Sequence, residues 1–272
     1  MEGKIVIKVN EKHTEVESGE TCFKLKEKIK PNSDLVILNG FPLEEDKELK
    51  KGDRIVFIKK GEVPSKEELQ GIIMARHTPG VFEKVNKARI GIAGVGGIGS
   101  NIAISLARLG VGYIKIVDFD VVEPSNLNRQ QYFIEDIGEY KVKALKKHIF
   151  NINPFIDVGD LVEKIEKENI KEIFKDVDII IEAFDNAKYK AELCNEVLTN
   201  MKDKIVIASS GMAGFYSSND ITTKKITNKF YICGDGINEA REGSGLMAPR
   251  VSICANHMAN MALRIILGEG EI

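Results

Sequence analysis

The sequence predicts an α/β protein in which a small α+β domain precedes a doubly wound, mostly parallel sheet. Three observations carry this. From Ala88 onward, short apolar runs alternate with amphipathic stretches of helical period. A glycine-rich turn, "GVGGIGSN", separates the first of those runs from the first of those helices. Residues up to 60 follow a different rhythm, with strand-like runs grouped around one short helical stretch.

That first part opens with "KIVIKVN", which carries Ile5, Ile7 and Val9 on one face. "NEK" turns and "HTEVE" returns. Thr21 is a cap for the short helix "CFKLKEKIK", which Pro31 stops. "LVILNG" and "RIVFIKK" read as two further strands, and the charged "EEDKELKKGD" between them as solvated loop. The order suggests a small sheet gripping one helix, over residues 1–61.

Residues 62–87 read as a linker with an entry helix, having a proline at each end of "KKGEVPSKEELQGIIMARHTPG". Ser65 and Glu68 have the spacing of a capping box. Residues 88–272 form the large domain. "RIGIAG" is a buried-type strand, followed by a helix from Gly97 to Leu109, the strand "YIKIVDF" and a helix around Lys141 to Asn151. The alternation continues through "DVGDLVEKI", a helix near Glu168 to Phe174, "DIIIEAF", a helix from Ala187 to Met201, and "KIVIASS". After Gly211 the pattern turns irregular and strand-like, and a last helix runs from about Val251 to Leu267, with Gly268 past its end.

Composition narrows the function classes. Of 272 residues, 43% are hydrophobic and 29% charged, as in soluble globular proteins. A formal net charge of -2 and the lack of a basic stripe argue against nucleic acid as a partner. No apolar run is long enough to span a bilayer and "MEGKIVIKVNEKH" lacks the features of a signal peptide, so a cytoplasmic protein without a membrane partner is expected. Cys22, Cys194, Cys233 and Cys254 are scattered and form no CxxC pair; reduced thiols, and neither a disulfide framework nor a zinc site, are expected.

Gly94, Gly96 and Gly99 fit GxGxxG between a strand and a helix, the Rossmann-like arrangement in which backbone N–H groups and the helix N-terminus receive phosphate. Asp118 ends the next strand, where a carboxylate accepts hydrogen bonds from ribose hydroxyls. NAD and ATP share that ribose, so these residues leave the two open. The following loop, "DFDVVEPSNLNRQ", gathers Asn126, Asn128, Arg129 and Gln130 at the ligand-binding edge of the sheet, and Lys141 starts the next helix. A paired arginine and lysine suit phosphoryl-group chemistry, where charge develops on phosphate oxygens, better than hydride transfer. Asp185, after the strand "IIIEAF", has the right place for a magnesium ligand; a helix N-cap is the competing reading.

The blocks "GVGGIGSN", "VDFDVVEPSNLNRQ", "INPF", "EAFDN" and "MAPRV" resemble the signatures of the ThiF/MoeB group of ubiquitin-activating-enzyme-like adenylyltransferases. "ARHTPGVFEKV" and "SSGMAG" look like the shorter thiamine-pathway ThiF type. The similarity spans about residues 75–268. It implies Mg-ATP as cofactor, with Asp118 on the ribose, Asn128 and Arg129 on the phosphates, Lys141 on the α-phosphate and Asp185 on magnesium. Gly94, Gly96, Gly97, Gly99, Asp120, Asn126, Gln130 and Asn186 would complete the nucleotide site. Arg76 stands where the family has an arginine that reaches the neighbouring subunit's ATP, which implies a homodimer; a surface arginine without a ligand is the equal alternative.

The chain departs from the family in keeping single cysteines where many relatives have two CxxC pairs, and Cys233 has no local feature that would activate it. Residues 1–61 are similar to ThiS-type sulfur carriers, a ubiquitin-like β-grasp, but a working carrier ends in a free Gly-Gly carboxylate, whereas this chain runs on through "KKGEVPS". The resemblance implies adenylation of a separate ThiS-type carrier. A nucleotide-binding regulator whose groove is filled by its own carrier-like domain, an adenylating enzyme for a tRNA base and an NAD-dependent oxidoreductase remain as alternatives.

Overall fold

The computed structural model describes residues 3–78 and 80–272. Met1, Glu2 and Pro79, the last within "ARHTPGVFEKV", lie outside it. The chain divides into two compact units, Met1–Pro79 and Gly80–Ile272.

In the first unit β1 (Lys4–Val9), β2 (Lys12–Glu17), α1 (Cys22–Ile29), β3 (Leu35–Leu38), β4 (Phe41–Pro42) and β5 (Arg54–Ile58) precede α2 (Lys66–Arg76). The sheet order is β2-β1-β5-β3-β4, with β1 and β5 parallel and the other neighbours antiparallel. This is the β-grasp arrangement. Ile7, Val9 and Val16 of the hairpin pack with Leu25, Val36, Ile55 and Phe57 in one core, because alternate strand residues face α1. Thr21 caps α1 by accepting from Lys24 N–H, and Ser65 and Glu68 form a reciprocal capping box at α2.

Two details differ from the sequence reading. The charged stretch 44–53 is not simply solvated loop: Leu49 is 2% exposed and joins the core, its N–H donates to Glu20 O at 2.9 Å, and Cys22 N–H donates to Lys47 O at 2.8 Å. One leucine among charges leaves no periodicity to read, yet it pins the segment to the start of α1. Asn39-Gly40 closes a tight hairpin between β3 and β4, with φ of 52° and 91°, the left-handed pair that a two-residue turn requires.

The second unit contains α3 (Val81–Val85), β6 (Arg89–Ala93), α4 (Gly97–Leu109), β7 (Tyr113–Val117), α5 (Lys141–Ile152), β8 (Asp157–Leu161), α6 (Ile170–Phe174), β9 (Ile179–Glu182), α7 (Ala187–Asn200), β10 (Ile205–Ser209), β11 (Thr222–Thr227), β12 (Phe230–Gly234) and α8 (Ala248–Leu267). Its sheet order is β11-β12-β10-β9-β6-β7-β8, with every neighbouring pair parallel except β11 and β12. The order reverses at β6, so a crevice opens between the carboxyl ends of β6 and β9. Alternation puts Ile179 and Ile181 into the core under α4 and α8, and Ile180 into the one under α6 and α7. The irregular stretch after Gly211 resolves into the hairpin β11–β12, whose second strand extends the parallel sheet beside β10. Among the described residues no helix is long and apolar enough to cross a membrane.

Candidate functional site

A cavity of about 750 Å³ occupies the crevice. Gly94, Gly96 and Gly97 line it from the β6–α4 turn, Asp118 and Asp120 from the end of β7, and Asn126, Arg129 and Gln130 from the loop that follows; Lys141 and Asp185 complete this side. Ser209–Ala213 and Asn238–Ala240 form the opposite wall.

The turn is built for close approach. Gly94 has φ of 86°, a conformation that side chains disfavour. A Cβ on Gly99 would come within 1.9 Å of Gly94 O, so Gly99 serves the packing of turn on helix; it does not line the cavity. Tyr132 Oη donates to Val95 O at 2.8 Å from beneath, and Asn101 Nδ2 donates to both Gly97 O (2.7 Å) and Arg129 O (3.2 Å). The turn and the arginine loop are therefore clamped together by one buried amide.

Asp118 Oδ2 accepts from Val95 N–H at 2.8 Å and Oδ1 from Asp120 N–H at 2.9 Å. Burial pushes its carboxyl pKa up, against the pull of those two N–H groups and of Lys141. Lys141 donates to Asp120 at 2.8 Å. Arg129 donates through Nη1 to Ser125 O (3.2 Å) and Asn128 Oδ1 (2.7 Å), while its Nε is buried and meets no partner among the described residues; Gln130 Oε1 is likewise buried and unpartnered among them. Such groups are costly unless a ligand completes them. Asn126 is buried and accepts from Glu123 N–H at 3.1 Å.

Besides Gly99, two predicted residues of the second unit stand apart from this cluster. Asn128 does not line the cavity but braces Arg129. Asn186, not Asp185, caps α7, accepting from Lys188 and Tyr189 N–H, which leaves Asp185 exposed at the cavity wall. Arg76 ends α2 in the first unit, where it lines a second cavity of about 310 Å³ with Glu11, Glu62 and Glu68.

Side chains that the sequence did not single out also shape the site. Glu182, fully buried at the end of β9, is paired with Lys190 of α7. Arg250 of α8 is 3% exposed and donates to Tyr216 O (2.7 Å), Ser217 O (2.5 Å) and the buried carboxylate of Asp235, tying the loop after β10 to the loop after β12. A glutamate closing an all-isoleucine strand was the readable signal for the first pair, since a buried carboxylate demands a cation. Cys233 meets Thr223 Oγ1 at 3.5 Å, and Thr223 meets His257 Nδ1 at 3.1 Å, a histidine that sequence distance concealed. The thiol is nevertheless fully buried, and burial pushes its pKa up to about 11.

Strand order and cavity together define a doubly wound α/β unit with a phosphate-type glycine turn at its switch point. The chain belongs to the ThiF family, whose match covers residues 70–272; residues 5–61 match the ThiS-like ubiquitin family. It is 31% identical over 197 residues to the sulfur carrier protein ThiS adenylyltransferase of Bacillus subtilis, covering 70% of this chain and 58% of that protein. It is 37% identical over 134 residues to the tRNA threonylcarbamoyladenosine dehydratase of the same organism, covering 48% and 52% of the two chains. In fold it is similar to the E. coli dehydratase TcdA solved with ATP, at TM-score 0.68 and 20% identity, covering 76% of this chain and 98% of that one.

Proposed function

We propose that this protein uses ATP to adenylate the C-terminal glycine carboxylate of a ThiS-type ubiquitin-like sulfur carrier. The observation that carries the reading is the convergence of Asp118, Arg129, Lys141 and Asp185 on one cavity above a glycine turn, with Arg129 Nε and Gln130 Oε1 lacking partners among the described residues. The B. subtilis adenylyltransferase supports the same chemistry by likeness.

In this reading the Gly94–Gly97 turn and the N-terminus of α4 receive phosphate, and Asp118 accepts from the ribose hydroxyls. The carrier carboxylate attacks the α-phosphorus in line; the bond to the β-phosphate bridging oxygen breaks, and pyrophosphate leaves. Arg129 and Lys141 stabilise charge developing on the phosphate oxygens. Asp185 would hold magnesium, which would supply further charge neutralisation when bound. One carboxylate plus phosphate oxygens is a donor set that suits this hard, highly hydrated ion. Asn126, Asn128 and Asn186 act by shaping the loops. The carrier tail enters between Ser209–Ala213 and Asn238–Ala240.

The first unit is not the substrate. Its ThiS-like match ends at Gly61, where the chain turns with φ of 71°, Glu62 N–H donates to Lys59 O, and the glycine carbonyl is committed to a peptide bond. An amide is no nucleophile for this reaction, so the carrier comes from a separate chain. We assign the thiazole branch of thiamine synthesis as the pathway, a homodimer as the working form and Arg76 as its cross-subunit phosphate ligand.

A second reading is supported by the likeness to the B. subtilis dehydratase acting on threonylcarbamoyladenosine in tRNA. The net charge of -2 weighs against an RNA substrate. Pyrophosphate release separates the two: release with ATP and a Gly-Gly carrier, but not with tRNA, supports carrier adenylation, and the opposite pattern contradicts it.

A further inference from the structure

The strand β9 reads Ile-Ile-Ile-Glu, and all four residues are buried. A carboxylate with no accessible surface is tolerated only when paired and hydrogen-bonded. Glu182 is both. Lys190 Nζ lies 3.0 Å from each of its oxygens, 2.9 Å from Ser209 Oγ and 3.4 Å from Ser209 O, so the ammonium is fully engaged. Glu182 Oε1 accepts from Phe184 N–H at 2.7 Å, and Oε2 from Ser209 N–H at 3.4 Å.

These bonds reach the backbone of two loops. Phe184 immediately precedes Asp185, and Ser209 opens the segment Ser209–Ala213 on the far wall; Lys190 itself lines the cavity between them. A fold that needed only stability would do as well with an apolar pair here. The ionic pair instead aims directed bonds at the two segments that must hold still together.

We propose that Glu182 and Lys190 are a positioning pair that fixes the Asp185 loop against the Ser209 loop, and so couples the metal-bearing end of the cavity to the end that receives the carrier tail. The proposal rests on the adenylation reading above. Neither residue touches the reacting atoms.

The test uses the full chain with Lys190→Met, Lys190→Arg and the double variant Glu182→Gln/Lys190→Met, which strands no charge and guards against simple unfolding. ATP affinity, Mn²⁺ affinity of the ATP complex by spin resonance, and adenylation of a Gly-Gly carrier are measured on each. Both Met-containing variants are expected to keep ATP affinity within about threefold while kcat drops by about 10²-fold, the scale of an ångström-sized misplacement. Their Mn²⁺ affinity should weaken about tenfold, and Lys190→Arg should recover most of both losses. A folded double variant with wild-type kcat and Mn²⁺ affinity overturns the proposal, as do losses that merely follow the fraction unfolded. If the wild type binds Mn-ATP but adenylates no carrier, the functional reading falls, and the Mn²⁺ affinities alone decide the positioning role. A wild type that binds no ATP sinks both.

Discussion

Lys141 Nζ donates to Asp120 Oδ2 at 2.8 Å, with the lysine side chain 8% exposed and the aspartate 50% exposed. The ammonium is thus anchored from the solvent side of the cavity and enters it as a buried charge already oriented. Phosphate oxygens would compete with Asp120 for a cation already largely removed from water, a setting in which electrostatic stabilisation is strong.

Replacing that cation should act on the chemical step. Lys141→Met is expected to lower the single-turnover rate of carrier adenylation by about 10²–10³-fold, the usual effect of deleting one such donor. Asp120→Asn, which keeps the lysine, should cost less. Equal effects in the two variants, measured by rapid quench, would show that the lysine matters only through its ion pair.

Arg129 has its Nε buried without a partner among the described residues. Since a hydrogen bond to a charged group contributes about 1.5–3 kcal/mol, Arg129→Ala should weaken ATP binding at least about tenfold in calorimetry. NAD binding by the wild-type chain, insensitive to this substitution, would contradict the assignment and favour an oxidoreductase.

No thiol is poised for chemistry. Cys22, Cys194, Cys233 and Cys254 are all buried, and burial pushes Cys194 and Cys254 up to about 12. Cys233→Ala should adenylate its carrier at the wild-type rate, and the wild-type chain should form no reductant-sensitive conjugate with it. A conjugate that vanishes in Cys233→Ala would reverse this conclusion.

The Arg250–Asp235 pair, with side chains 4% and 3% exposed, holds the loops after β10 and β12. Asp235→Ala leaves a buried guanidinium uncompensated and should destabilise the fold by about 3–5 kcal/mol in denaturant titrations. A loss under about 1 kcal/mol would mean the loops repack without it.

The same aspartate gives a pH signature. Burial alone would raise its carboxyl, but the N–H groups of Asn238 and Ile237 and the Asn238 amide, with Arg250, hold it below the ordinary value. A folded pKa under the unfolded one stabilises the native state above about pH 3.9, and that contribution fades as pH falls through the lowered value. The stability gap between wild type and Asp235→Asn should therefore be flat above about pH 5 and close below about pH 4. A gap that is unchanged at low pH would show that the carboxylate is not the source.

Much of this architecture was legible because its signals are local. The glycine turn, Asp118 and the strand-helix alternation each follow from spacing within a few residues, and α4 occupies Gly97–Leu109 as its pattern indicated. What escaped depends on contacts distant in sequence. Leu49 joins the core through bonds to residues before α1, Thr223 brings His257 toward Cys233, and Arg250 reaches back to Tyr216. Asn186 took the cap that Asp185 was also suited to, because both have a side-chain oxygen acceptor at that turn and only backbone geometry chooses between them.

The central claim is tested most directly by intact mass spectrometry of the full chain with Mg-ATP and a separate ThiS-type carrier ending in Gly-Gly. The account predicts that the carrier gains the mass of one adenylate, that the chain itself gains none, because Gly61 has no free carboxylate, and that Arg129→Ala and Asp185→Ala abolish the gain. A carrier that stays unmodified while the chain binds ATP would contradict it.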